Sequence, residues 1–133
     1  KECTLEMVLP EDGATRLHGL SHVIHESIAE WNDGERFKVP CTTVDSLFQN
    51  LDIQGVKIDV ENFEYFVLKG AQETIVRCKP IIYAELWENE NRTNCFEFLK
   101  KHGYGIYCVQ NNSLVRWNTE IQTQNFIFQQ INS

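Results

Sequence analysis

Val56-Lys57-Ile58-Asp59-Val60-Glu61-Asn62-Phe63-Glu64 is the stretch whose reading decides the fold. Its first five residues form a short apolar-rich strand that runs straight into the acidic turn Glu61-Asn62. Phe63, Phe66, Val67 and, further on, Ile75 then follow a helical period. Lys79-Pro80 stops that helix, because the residue before proline avoids helical angles, and Ile81 to Trp87 reads as a second apolar strand. Asn91 or Thr93 then caps a helix that turns Cys95, Phe96, Phe98 and Leu99 inward. It ends at Lys100-Lys101-His102-Gly103, with cations in the last turn and glycine as the stop. Tyr104 to Val109 is a strand, Asn111-Asn112 a turn, Leu114 to Trp117 a short strand, and Asn125 to Gln129 the last one. Strands alternating with helices imply an α/β fold: an open, mostly parallel sheet with helices on both faces and an antiparallel edge from the close-set final strands.

Upstream of the deciding stretch the pattern is less regular. Thr4 to Leu9 alternates as a half-buried strand that Pro10 is expected to end, and Glu11-Asp12-Gly13 reads as a turn. Between His18 and Trp31 the spacing of Leu20, Val23, Ile24 and Ile28 fits a short helix or an ordered loop, before Asn32-Asp33-Gly34 turns the chain. Phe37 to Val39 is a short strand. Thr42-x-x-Asp45 resembles a capping box that starts a helix burying Val44, Leu47, Phe48 and Leu51 on one face.

The 133 residues suit one domain, and 42% hydrophobic with 23% charged residues is a globular composition. Twelve Lys plus Arg against nineteen Asp plus Glu give a net charge of −7, the wrong sign for attracting nucleic acid or an anionic membrane surface. No apolar run approaches the roughly 18 residues that span a bilayer, and Lys1-Glu2-Cys3-Thr4 opens no signal core. Five cysteines without a C-x-x-C pair read as free thiols of a reducing, cytoplasmic compartment. The triplets Asn91-Arg92-Thr93 and Asn111-Asn112-Ser113 are too short to argue for secretion. The chain begins with lysine and its only methionine is Met7, so a segment upstream is expected.

In an open α/β sheet, ligands bind outside the carboxyl ends of the strands, where apolar strands first turn polar. Asp59 and Glu61, two residues apart, point the same way on an extended chain, and Glu85 at the end of the next strand brings a third carboxylate to the same edge. Such a cluster can hold a divalent cation, take a proton as general base, or hydrogen-bond hydroxyl groups. The alternative is that Asp59 and Glu61 merely favour the positive end of the following helix, with Asn62 as its cap. His18, His22 and His25 at i, i+4 and i+7 would share one face of a helix, a spacing able to ligate zinc. The motif is not H-E-x-x-H, and a polar loop beside a cleft is the plainer reading, with a histidine such as His25 facing the ligand as base or contact. Cys41 and Cys108, in or beside strands, read as small buried hydrophobes rather than nucleophiles.

Absent motifs narrow the function further. Gly103-Tyr104-Gly105 is the only G-x-G, and it lies between a helix and a strand, the reverse of a dinucleotide loop. Neither a phosphate-binding G-x-x-x-x-G-K-S/T nor a G-x-S-x-G nucleophile turn occurs.

An ordered set of segments resembles the FkbM-type family of S-adenosylmethionine-dependent methyltransferases: Val39-Pro40-Cys41-Thr42-Thr43-Val44-Asp45-Ser46-Leu47, Val56 to Glu64, Val67-Leu68-Lys69-Gly70-Ala71, Lys79-Pro80-Ile81-Ile82 with Glu85, Phe98 to Tyr104, and Asn125 to Phe128. The resemblance covers residues 39–130, and residues 1–38 form a loosely matched opening segment of the same single domain, 1–133. It implies the acceptor-side half of a Rossmann-like methyltransferase fold, with the donor-binding first strands and their acidic-glycine loop lying before residue 1. The Asp59–Glu61 block then marks the exit of the fourth strand toward donor and acceptor. The family usually has glycine where this chain has Asn62, and asparagine tolerates left-handed angles better than most residues. The implied activity is O-methylation of a hydroxylated small molecule or saccharide. Asp59 and Glu61 would be the catalytic carboxylates, Asp59 also facing S-adenosylmethionine, with Glu85 on the acceptor; His25, from the histidine spacing and not from the resemblance, is the other residue expected on the acceptor. A non-catalytic binding module built on the same fold is the competing reading, and an open sheet edge would let a second copy pair.

Overall fold

The computed structural model describes residues 3–26, 28 and 31–132. They form two sheets and four helices. In the first sheet β1 (Cys3–Asp12) is central, pairing antiparallel with β2 (Thr15–Arg16), β3 (His22–Val23) and, along most of its length, β4 (Gly34–Cys41). The register runs from Cys3 opposite Cys41 to Pro10 opposite Gly34. Pro10 therefore does not end the strand. Its missing N–H is tolerated because its carbonyl accepts from Leu17 N–H, and Glu11 N–H resumes pairing with Asp33 O. Gly34, at φ +152°, permits the close approach there, since a Cβ would collide with the Leu9 carbonyl oxygen.

Of the two readings of the histidine segment, a short helix or an ordered loop, the structure has neither a helix carrying all three histidines nor a plain loop: it has a 3-10 turn (His18–Leu20), the two-residue β3 and a loop. The parts of those readings that fall on residues 27, 29 and 30 lie outside the described residues, as does the Lys1-Glu2 start. The helix expected to bury Leu47 and Leu51 is the single turn α1 (Val44–Leu47), and both leucines are exposed. Thr43, not Thr42, caps it, its Oγ1 accepting from Ser46 N–H at 3.1 Å. Asp45 caps a different helix altogether: its carboxylate accepts from Glu73 N–H at 3.0 Å and Thr74 N–H at 2.8 Å.

The second sheet has the order β5 (Gly55–Ile58), β6 (Ile81–Glu85), β9 (Asn125–Gln130), β7 (Tyr104–Gln110), β8 (Ser113–Arg116). Only β5 and β6 pair parallel; the other three pairs are antiparallel, so the sheet is mixed rather than mostly parallel. The helical crossovers do make β5, β6 and β7 point the same way. The final strand, β9, enters between β6 and β7 from the opposite direction and converts both contacts to antiparallel. Asn111 and Asn112, both at positive φ, make the tight turn between β7 and β8.

The helices lie on one face, not both. Ile58, Ile82, Ala84, Ile106, Phe126 and Phe128 from the sheet meet Leu68 of α2 (Glu64–Lys69), Ile75 of α3 (Gln72–Cys78) and Cys95, Phe96 and Leu99 of α4 (Glu90–Lys101) in one core, with Val44 of α1 against it. Ile81 and Tyr83, which alternate to the other face of β6, remain exposed. The single helix expected from Phe63 to Ile75 is two, broken at Gly70-Ala71, and Lys79 closes α3 in a left-handed conformation before Pro80. α4 is capped two residues before the earlier of its expected caps, by Asn89 Oδ1 accepting from Arg92 N–H, and Gly103 at φ +84° stops it.

Candidate functional site

The parallel pair β5/β6 ends in two acidic exits, and the turn after β5 is held in an uncommon backbone shape. Glu61 and Asn62 both lie in the left-handed region, at φ +50° and +71°. Asparagine adopts that region more readily than most residues, and Asn62 Oδ1 accepts from Asn89 Nδ2 at 2.7 Å, which ties the turn to the start of α4. Asn62 is thus not the cap of α2, whose first residue follows Phe63 with no side-chain cap.

Glu64 secures the same turn from below. It is almost fully buried, its Oε1 accepting from Val60 N–H at 3.1 Å and its Oε2 from Asn91 Nδ2 at 2.7 Å. Asn91 Oδ1 in turn accepts from Tyr65 N–H at 3.2 Å, so one asparagine on α4 joins the side chain of Glu64 to the backbone of α2. Burial pushes the Glu64 carboxyl above its ordinary range, against the opposing pull of these hydrogen bonds. Sequence reading assigned Glu64 no role, although a charged residue between Phe63 and Phe66 on a helix that must face the core was a usable signal.

Of the three carboxylates expected at this edge, Glu61 has a titration that responds to the other two. Burial first, then the charges of Asp59, Glu85 and Glu64 in that order, hold the Glu61 carboxyl above the usual range, while His22 acts in the opposite sense. Asp59 is exposed and pairs with Lys57 Nζ at 3.3 Å, an ion pair of small energetic weight in water. Among the described residues no group of three or more His, Cys, Asp or Glu is arranged to hold a metal ion.

The three histidines part company. His22 is buried, with Nδ1 2.7 Å from Leu20 O and Nε2 3.0 Å from Asn32 Oδ1. His25 lies against the aromatic pair that follows the exit turn, its ring centroid 4.5 Å from Phe66 and 5.8 Å from Phe63. The first sheet is thereby joined to the acidic exit. Beside Phe66 a cavity of about 240 Å³ is lined by Tyr65, Phe66, Asn89, Glu90, Asn91 and Asn94. It shares Asn89 and Asn91 with the network holding the turn.

The family model described as methyltransferase FkbM domain matches residues 8–126. The chain belongs to that family. No curated protein and no solved structure matches it. The FkbM match reaches into both sheets, from Val8 in β1 to Phe126 in β9, so the second half of β1, all of β4 and the acidic exit of β5 fall within it. Within this FkbM domain Cys108 is buried as expected, whereas Cys41 is half-exposed and lies opposite Cys3.

Proposed function

We propose that the chain is the acceptor side of an S-adenosylmethionine-dependent O-methyltransferase, with Glu61 as the base and Asp59 facing the donor. The observation that carries the reading is the exit turn of β5, where Glu61 and Asn62 are held at left-handed angles and where burial, then the charges of Asp59, Glu85 and Glu64, raise the Glu61 carboxyl. A carboxylate that holds its proton more tightly than usual is better matched to removing one from a hydroxyl group near neutral pH. The same acidic edge suits the donor, which when bound supplies a methyl group on a positively charged sulfur. Asp59, just past the end of β5, an edge strand among the described residues, is the residue here that would touch it. We place the remaining donor contacts on strands paired along that edge of β5, a second copy being the competing occupant.

The acceptor is a hydroxylated small molecule or saccharide. The cavity beside the turn offers the aromatic faces of Tyr65 and Phe66 and the amides of Asn89 and Asn94, with His25 on Phe66 and Glu85 across the edge as further contacts. Transfer then needs alignment of acceptor oxygen, methyl carbon and sulfur, plus loss of the hydroxyl proton to Glu61. A cytoplasmic location agrees with the free thiols. No helix among the described residues is long and apolar enough to cross a membrane.

The natural protein carrying this domain, incubated with methyl-labelled S-adenosylmethionine and a panel of hydroxylated acceptors, should transfer label. Asp59→Asn and Glu61→Gln should lower turnover more than donor affinity. Unchanged rates in both would return these carboxylates to a scaffold role.

A further inference from the structure

Cys3 and Cys41 are the first and last residues of the β1–β4 pairing and sit directly opposite each other in its register. Opposed residues of antiparallel strands have Cα atoms about 4.5 or 5.5 Å apart, depending on the type of pair. Both spacings fall inside the roughly 4.4–6.8 Å that a disulfide bridges without backbone movement. Burial first, then the neighbouring Cys3 thiol, raises the Cys41 thiol above its ordinary value. Cys3 is exposed and Cys41 half-exposed; together with Thr4, Pro40 and Thr42 they line an open recess. On the inner side the same pair lines an apolar cavity of about 250 Å³, walled by Val44, Phe63, Phe66 and Val67. The remaining cysteines differ: Cys95 and Cys108 are buried, and Cys78 Sγ lies 3.5 Å from Leu51 O.

We propose that Cys3 and Cys41 are a dithiol–disulfide pair that reversibly clasps the open end of the β1–β4 ribbon above the Phe63–Phe66 cavity. The oxidant is a low-molecular-weight disulfide of the glutathione class. The exposed Cys3 thiolate attacks one sulfur of that disulfide, forming a mixed disulfide and releasing one thiolate. The Cys41 thiolate then attacks the Cys3 sulfur and expels the second. The pair loses two electrons and two protons, and two molecules of the small thiol are formed. Such a clasp restrains the loop between residues 3 and 41, and with it the attachment of the first sheet to the aromatics beside the acidic exit.

The test equilibrates the chain in buffers of graded oxidised and reduced glutathione, quenches with an alkylating agent, and maps the digest by mass spectrometry. The expected result is a crosslinked peptide pair containing Cys3 and Cys41, loss of two hydrogens from the intact mass, two fewer alkylated thiols, and a melting temperature that rises on oxidation and returns with dithiothreitol. In Cys3→Ser the crosslink should vanish and the melting temperature should no longer respond to oxidant. A stable glutathione adduct on Cys3 with Cys41 still alkylated, or a disulfide between two chains, would overturn the proposal.

Discussion

Replacing Glu64 with glutamine keeps the size and shape of a nearly fully buried side chain, yet the hydrogen bonds around it leave no arrangement that satisfies the amide. Val60 N–H and Asn91 Nδ2 both donate to the carboxylate, and Asn91 uses its only carbonyl to accept from Tyr65 N–H. In Glu64→Gln the new Nε2 meets Asn91 Nδ2, donor against donor. Turning the asparagine over moves the same conflict onto Tyr65 N–H. A buried donor left without a partner costs about 1–3 kcal/mol, offset in part because the substitution removes a carboxylate whose burial is itself unfavourable. Asn91→Asp alone sets two carboxylates where a 2.7 Å hydrogen bond stood, and destabilises for the opposite reason. Combining them restores the match with the charge moved across the contact: the carboxylate introduced at position 91 accepts both from the new amide at position 64 and from Tyr65 N–H. The double variant should therefore be more stable than the sum of the singles by about 2 kcal/mol or more, within the coupling range of directly bonded residues. Urea unfolding of the four proteins at neutral pH measures it. Additivity within about 0.5 kcal/mol would refute the hydrogen-bond assignment of this network.

Two further outcomes follow from the same elements. Asp45→Ala removes both side-chain acceptors from the first turn of α3 and should cost about 1–2 kcal/mol in urea unfolding, with no change at the exit of β5. Glu61, whose folded-state pKa lies above its unfolded value near 4.5, contributes stability that is fully present below that value and lost as pH rises through the folded one. Glu61→Gln should flatten that decline in melts across the acidic range, Asp59→Asn should shift it toward lower pH, and a decline unchanged in Glu61→Gln would show that another group produces it.

Much of the second sheet was legible because its signals are local. Val56 to Val60, Ile81 to Trp87 and Asn125 to Gln129 announce strands as short apolar-rich runs between stops, Pro80 and Gly103 stop helices through backbone geometry alone, and Asn111-Asn112 makes its turn from two residues that accept positive φ. The first sheet was less legible: β1 runs through Pro10, and β3 is two residues paired to a strand distant in sequence. The Thr42/Asp45 pattern misled because Asp45 finds its donors 28 and 29 residues away, on α3, rather than within its own turn.

By itself the sequence determined the elements of the second sheet, the acidic exit after Val60 and the family to which its motifs point, since each depends on residues within one or two turns of chain. Tertiary structure decided that β9 enters antiparallel between β6 and β7, that the helices cover one face, and that Glu64, Asn89 and Asn91 hold the exit turn. It also placed His25 on the aromatics beyond that turn and set Cys3 against Cys41. The physical reason is common to all of these: strand direction, burial of a charge and the meeting of two side chains depend on which distant segments pack together, and no periodicity along the chain records that choice.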